Sequence, residues 1–217
     1  QDLTWDEYLA LGEKLKEKGH MLQTYNPNDI AEFQIMLQST GKWFTDNDGN
    51  ADFTNNDALK ECYDVFKKLN ESDFCQVVSD WTGFAGAINN GDVACVMRGS
   101  WITSTIMGAD DQSGKWKMAP VPKMSTDGAT HYSNQGGSSW FVLKNSKNAD
   151  AAAKFLADTF GGSTELYDSL MKSNNIIGTY LPAADIEAVN TESEFFSGQQ
   201  INKTLVDWEA QIPSVNT

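Results

Sequence analysis

Met97-Arg98-Gly99-Ser100-Trp101 is the stretch with the clearest chemical potential. Val93 to Met97 is a short apolar run of strand length, entered through the turn Asn90-Gly91-Asp92. Gly99 releases the backbone, and Ser100 is a suitable N-cap for a helix beginning at Trp101. A large aromatic thus falls on the first turn of a helix, directly after a buried strand. Backbone N–H groups in a first helical turn have no partner inside the helix. An indole face beside free donors suits a neutral, hydroxyl-rich ligand: the apolar face of a sugar ring stacks, and its hydroxyls take the donors. The rival reading is a Trp that only packs a helix onto a sheet, and local pattern alone favours packing. Arg98, next to this stretch, suits either a polar ligand group or an acidic neighbour, and the acidic neighbour is the preferred reading.

Other site chemistries find little support. His20 and His131 are far apart and lack the spacing of metal ligands, so no metal or cofactor is expected. The loop Asp46-Asn47-Asp48-Gly49-Asn50 fails the calcium-loop spacing, because Phe44 and Asn55 would fall on ligand positions; it reads as a hairpin turn. Neither a dinucleotide nor a phosphate-loop glycine pattern occurs, and 136–140 is not a nucleophile elbow. No pair among the 30 acidic residues stands out as a glycosidase pair. Cys62, Cys75 and Cys95 form no CxxC and leave at least one thiol unpaired.

The elements that must position the Trp101 stretch follow from periodicity. Thr4-Trp5-Asp6-Glu7 is a capping box, and its helix ends at Gly19. A strand at 20–25 and a loop at 25–29 lead to a second helix bearing Ile30, Phe33 and Leu37. A hairpin spans 43–53. Asn56 caps a third helix with the stripe Leu59, Cys62, Tyr63, Phe66 and Leu69. A fourth carries Trp81, Phe84, Ala85 and Ile88. Strands are expected at 115–121 and 139–143. Further helices are expected through Ala149 to Phe160, through Leu166 to Met171, from Leu181, and from Phe195 to Trp208. Trp81 and Trp140 are assigned to the core by their helical and strand spacing.

The composition is that of a soluble globular chain: 217 residues, 40% hydrophobic and 21% charged. A net charge of −14 argues against polyanion partners, because nucleic acid needs a basic stripe and none is visible. No stretch is long and apolar enough to span a bilayer. Gln1-Asp2-Leu3, with a helix at once behind it, reads as a cut site. Strands separated by helices indicate an α/β layer architecture in one domain.

Several of these pieces, in this order, resemble the extracellular solute-binding proteins of ABC importers, in the family that includes maltodextrin-binding proteins. They are Thr4-Trp5-Asp6-Glu7 with Leu15 to Gly19; Phe84 to Trp101 with Gly91-Asp92-Val93-Ala94 and Met97-Arg98-Gly99-Ser100-Trp101; Met118-Ala119-Pro120-Val121-Pro122; and Gly136-Gly137-Ser138 through Lys144-Asn145-Ser146-Lys147 to Ala151-Ala152-Ala153-Lys154-Phe155-Leu156. The resemblance implies a periplasmic-binding-protein-like (type II) lobe, helix-rich around a small mixed sheet. It implies that residues 1–217 are mainly a C-terminal lobe, without the N-terminal lobe and the last hinge helices, and so hold half of a ligand cleft. It implies non-catalytic binding of an oligosaccharide, with ABC permease subunits as partners. The location would be extracellular or periplasmic, with lipoprotein anchoring. The alternatives are another small solute in the same family, or a glycoside-processing enzyme or its accessory module. Carried onto this sequence, the signature Trp is Trp101, with Gly99 and Ser100 offering backbone contacts. Gln135 and Gly136 match the loop that approaches the cleft. Tyr25 and Asn26 fall in a loop of polar and aromatic contacts, or are plain surface.

Overall fold

A computed structural model describes residues 2–216. Helix α1 (Trp5–Glu17) begins at the capping box: Glu7 N–H donates to Thr4 Oγ1 at 3.3 Å, and Thr4 N–H donates to Glu7 Oε2 at 2.8 Å. Gly19 ends it at φ +81°, a left-handed conformation that glycine adopts without strain. Strand β1 (Met21–Tyr25) follows, then α2 (Ala31–Ser39) and α3 (Asp57–Glu71), the latter capped by Asn56. Strand β2 (Cys75–Val77) leads into α4 (Trp81–Asn89), and β3 (Val93–Cys95) into α5 (Ile102–Ile106).

The three strands form one sheet in the order β2-β1-β3, with β1 parallel to both neighbours. The sheet is small, as expected, but wholly parallel rather than mixed. Helices connect every pair of strands, which returns each strand to the same direction. Central β1 buries four of its five residues, Gln23 and Thr24 among them, because elements cover both of its faces.

One buried cluster joins α1, β1, α2 and α3 around Leu22, Met36, Leu37, Cys62 and Leu69. A second joins α4, β3 and α5 to Phe195, Phe196 and Ile201. A third holds helix α7 (Thr164–Asn174) against short 3-10 turns at Leu181–Asp185 and Glu187–Asn190. Helix α6 (Ala149–Asp158) buries no residue, and α8 (Ile201–Glu209) closes the chain.

Several expectations need correction. Residues 115–121 form no strand and join no sheet among the described residues. Pro120 and Pro122 lack N–H donors, and the Gln199 side chain takes both backbone groups of Met118. Residues 139–143 likewise form no strand. The hairpin at 43–53 reduces to one bridge, Thr45 with Ala51, around a turn whose amides bond the Asp46 side chain. The last helix starts at Ile201 rather than Phe195, because Ser193 to Gln199 close a turn through Ser197 at φ +56° and Gly198 at φ +79°. The helix at Leu181 is a 3-10 turn. The three thiols are free; Cys62 and Cys75 are buried.

Candidate functional site

The order β2-β1-β3 sends the chain from β1 to one side and then to the other, so the connections diverge beyond the carboxyl ends of the strands. In parallel α/β sheets the crevice at that end is where ligands bind. Three segments leave the sheet there: 26–30 after β1, 78–80 after β2, and 96–101 after β3.

Trp101 stands at the end of the third. It occupies the cap position of α5 rather than its first turn, and Ser100 makes no side-chain cap. Ser100 is half-buried, with its carbonyl accepting from Thr103 Oγ1 at 2.8 Å. The Trp101 ring remains 38% exposed, and its Nε1–H donates to the Gln135 carbonyl at 3.2 Å. The Gln135 side chain answers: its Oε1 accepts from Gly99 N–H at 3.1 Å. Gly136 has φ +99°, and a Cβ there would stand 3.4 Å from Trp101 Nε1. The expected residues Gly99, Trp101, Gln135 and Gly136 therefore meet, although 36 positions separate Gly99 from Gln135.

Trp81 joins them, and sequence reasoning missed it. It was assigned to the core with Phe84 and Ile88, yet its ring is 51% exposed and lies 5.7 Å from that of Trp101 at 47°. Its other neighbour is Phe84, stacked at 5.6 Å. The signal was present: Asp80 caps α4 by accepting from Gly83 N–H at 2.8 Å, so Trp81 opens a helix just after a strand, as Trp101 was expected to do. A first-turn residue overhangs the end of the sheet rather than its face. Trp140 is also out of the core, at 65% exposure, because the segment carrying it enters no sheet.

Tyr25 ends β1 within a buried core cluster rather than lying in the loop after it. It is buried, edge-on to Phe66 at 5.9 Å, and burial raises its hydroxyl pKa. Asn26 is half-buried, and its Oδ1 accepts from Asn28 N–H at 3.0 Å, so its side chain shapes the turn.

Arg98 meets acidic neighbours, as preferred. Its side chain is 3% exposed; it pairs with Glu32, and its Nη2 lies 3.2 Å from Asp29 Oδ2. Nη1 donates to the Met97 carbonyl at 2.8 Å, and the guanidinium carbon sits 4.4 Å from the Phe84 ring centre. Burial pushes the Glu32 carboxyl upward against the pull of Arg98. Among the described residues no group of three His, Cys, Asp or Glu side chains could hold a metal ion; His20 is exposed, and His131 Nδ1 lies 3.0 Å from the Val121 carbonyl.

Two exposed indoles, tilted against each other 5.7 Å apart, thus stand beyond the carboxyl ends of the strands, with the 135–136 loop against Trp101. The model of the bacterial extracellular solute-binding protein family matches residues 2–196. The chain belongs to that family. Among its relatives, a lactose-binding protein from Rhizobium radiobacter is 36% identical over 217 residues, covering all of this chain and 51% of the relative. An arabinooligosaccharide-binding protein from Bacillus subtilis (strain 168) is 23% identical over 218 residues, 96% of this chain and 50% of the relative. Among solved structures, the galacto-N-biose-/lacto-N-biose I-binding protein of the ABC transporter from Bifidobacterium longum superposes with a TM-score of 0.72 at 21% identity. That match covers 98% of this solute-binding chain and 53% of the other, and it shows the shared fold. The chain spans about half the length of the relatives it matches.

Proposed function

We propose that this chain is a carbohydrate-binding lobe of an ABC importer's solute-binding protein, and that Trp81 and Trp101 form its stacking wall. The observation that carries the reading is the exposed indole pair at the carboxyl edge of the parallel sheet. Large apolar rings left open to water beside polar backbone suit a ligand with one apolar face and a hydroxyl rim. Gly99, Ser100, Gln135 and Gly136 would line that rim. The sugar-binding names of the relatives support the same class of ligand. A neutral solute is favoured over an anionic one, because the nearest cation, Arg98, is buried and already paired with two carboxylates. Binding is favoured over glycoside chemistry, because nearby carboxylates have other duties: Asp80 caps a helix, and Glu32 and Asp29 hold Arg98.

The chain would supply mainly the C-terminal lobe of a two-lobed clamp that closes on its ligand and presents it to permease subunits. Residues 139–158 support this part. They add nothing to the three buried clusters, and they expose Trp140, Phe141, Leu143 and Phe155 as a face for another lobe to cover. The place of action would be extracellular or periplasmic, with a lipoprotein anchor.

Titration with a panel of neutral oligosaccharides, read by tryptophan fluorescence, tests the stacking wall. Trp81→Ala and Trp101→Ala should each weaken binding by about 1–2 kcal/mol with little change in melting temperature. Parent-like affinity in the double variant, or hydrolysis of any glycan in the panel, would overturn the proposal.

A further inference from the structure

Arg98 is not needed as a ligand contact, yet it is the most connected side chain behind the two indoles. Its guanidinium reaches four structural pieces at once. Asp29 belongs to the connection after β1, and Glu32 to the first turn of α2. Phe84 belongs to α4, and its ring centre lies 4.4 Å from the guanidinium carbon. The Met97 carbonyl belongs to the turn that delivers Gly99 and Trp101. Phe84 in turn stacks on Trp81 at 5.6 Å with only 15° between the rings. Contacts therefore run from the guanidinium to Phe84 and from Phe84 to Trp81, while the Arg98 backbone leads on to Trp101.

We infer that Arg98 is a positioning residue that sets the angle and spacing between the Trp81 and Trp101 rings. The chemistry requires arginine. A planar cation can lay one face on an aromatic ring while its edge holds two carboxylates, whereas a lysine ammonium offers a point charge and no plane. Moving the fork moves Phe84 and Trp81 on one side and the 97–101 turn on the other. The bearing of this arrangement on saccharide affinity rests on the carbohydrate reading proposed above, but the geometric role does not.

Two indoles 5.7 Å apart and inclined at 47° couple their electronic transitions, so circular dichroism reports their mutual angle without any ligand. Difference spectra of Trp81→Phe and Trp101→Phe define the signal of the pair. Arg98→Lys should fold and lose at least half of that signal. Replacing Arg98 alone by Met would strand the Glu32 carboxylate, whose Oε2 is already buried without a partner. The informative variant is therefore Arg98→Met with Glu32→Gln, which removes both charges together. It should melt cooperatively near the parent temperature, lose at least half of the pair signal, and weaken neutral oligosaccharide binding about tenfold. A parent-strength signal in that folded double variant overturns the positioning role. A reduced signal with parent-like saccharide affinity leaves the positioning role standing and overturns the stacking function instead.

Discussion

At the scale of single residues, the site depends on a close approach that only glycine permits. A Cβ on Gly99 would stand 2.2 Å from the Gln135 carbonyl oxygen and 2.7 Å from Trp101 Nε1, and the first of these is backbone that cannot swing aside. Gly99→Ala should therefore push the 135–136 loop and the Trp101 ring apart. The expected cost is about 1–3 kcal/mol in urea denaturation, with a shift in tryptophan emission as the Nε1 hydrogen bond is lost. Stability within about 0.5 kcal/mol of the parent would sink this account. That Gly99, Trp101, Gln135 and Gly136 come together in one candidate site was legible. Trp81 was not, because i, i+3 and i+7 spacing describes a core stripe and an overhanging first turn equally well. Tyr25 was read too far outward: it ends the central strand, and an aromatic there fills the core beside Phe66 rather than the loop.

At the scale of elements, helix starts were readable because their signals are local. Thr4 and Asn56, the caps expected from sequence, each accept a backbone N–H three residues on, and Asp80 does the same for α4. Strands were less readable, since alternation says that a segment can pair but not with what. The 115–121 segment is instead fastened from outside, and the turn after it is held by Glu61 of α3. Glu61 accepts from Ser125 N and Oγ, both at 2.6 Å, and from Thr126 N at 3.0 Å and Oγ1 at 2.5 Å. Partial burial pushes this carboxyl upward, but the four hydrogen bonds outweigh it and hold the pKa below its ordinary value. A carboxyl whose folded pKa is depressed contributes its stability above the unfolded value of about 4.3, and loses it as pH falls through the folded value. Urea midpoints between about pH 3 and pH 6 should fall less steeply on the acid side for Glu61→Gln than for the parent, while the variant is weaker at neutral pH. An identical acid limb in the two proteins would show that these bonds do not couple to folding.

At the scale of the molecule, burial separates the apolar residues that build this chain's core from apolar residues that it leaves exposed. Leu22 is fully buried at the centre of the sheet, and Leu22→Ala is of the class that costs about 2–5 kcal/mol. Phe141 and Leu143 are just as apolar, but they are 86% and 78% exposed, on a segment that joins no sheet among the described residues. Helix α6 beside them buries nothing, although Ala149, Ala152, Ala153 and Leu156 give it an apolar side. A protein of net charge −14 is kept apart from its own copies by like charge, which explains how such a face is tolerated in water. If these side chains are reserved for a second lobe, they contribute nothing to the stability of the chain by itself. Phe141→Ser with Leu143→Ser should then leave the unfolding free energy of the 217-residue chain, read from urea denaturation, within about 0.5 kcal/mol of the parent and improve its solubility at high salt. The same pair of changes in a two-lobed protein should destabilise it by about 1.5–3 kcal/mol for each side chain uncovered. A large loss in the 217-residue chain itself would place the two residues in its own core and remove the support they lend to the proposed two-lobed clamp.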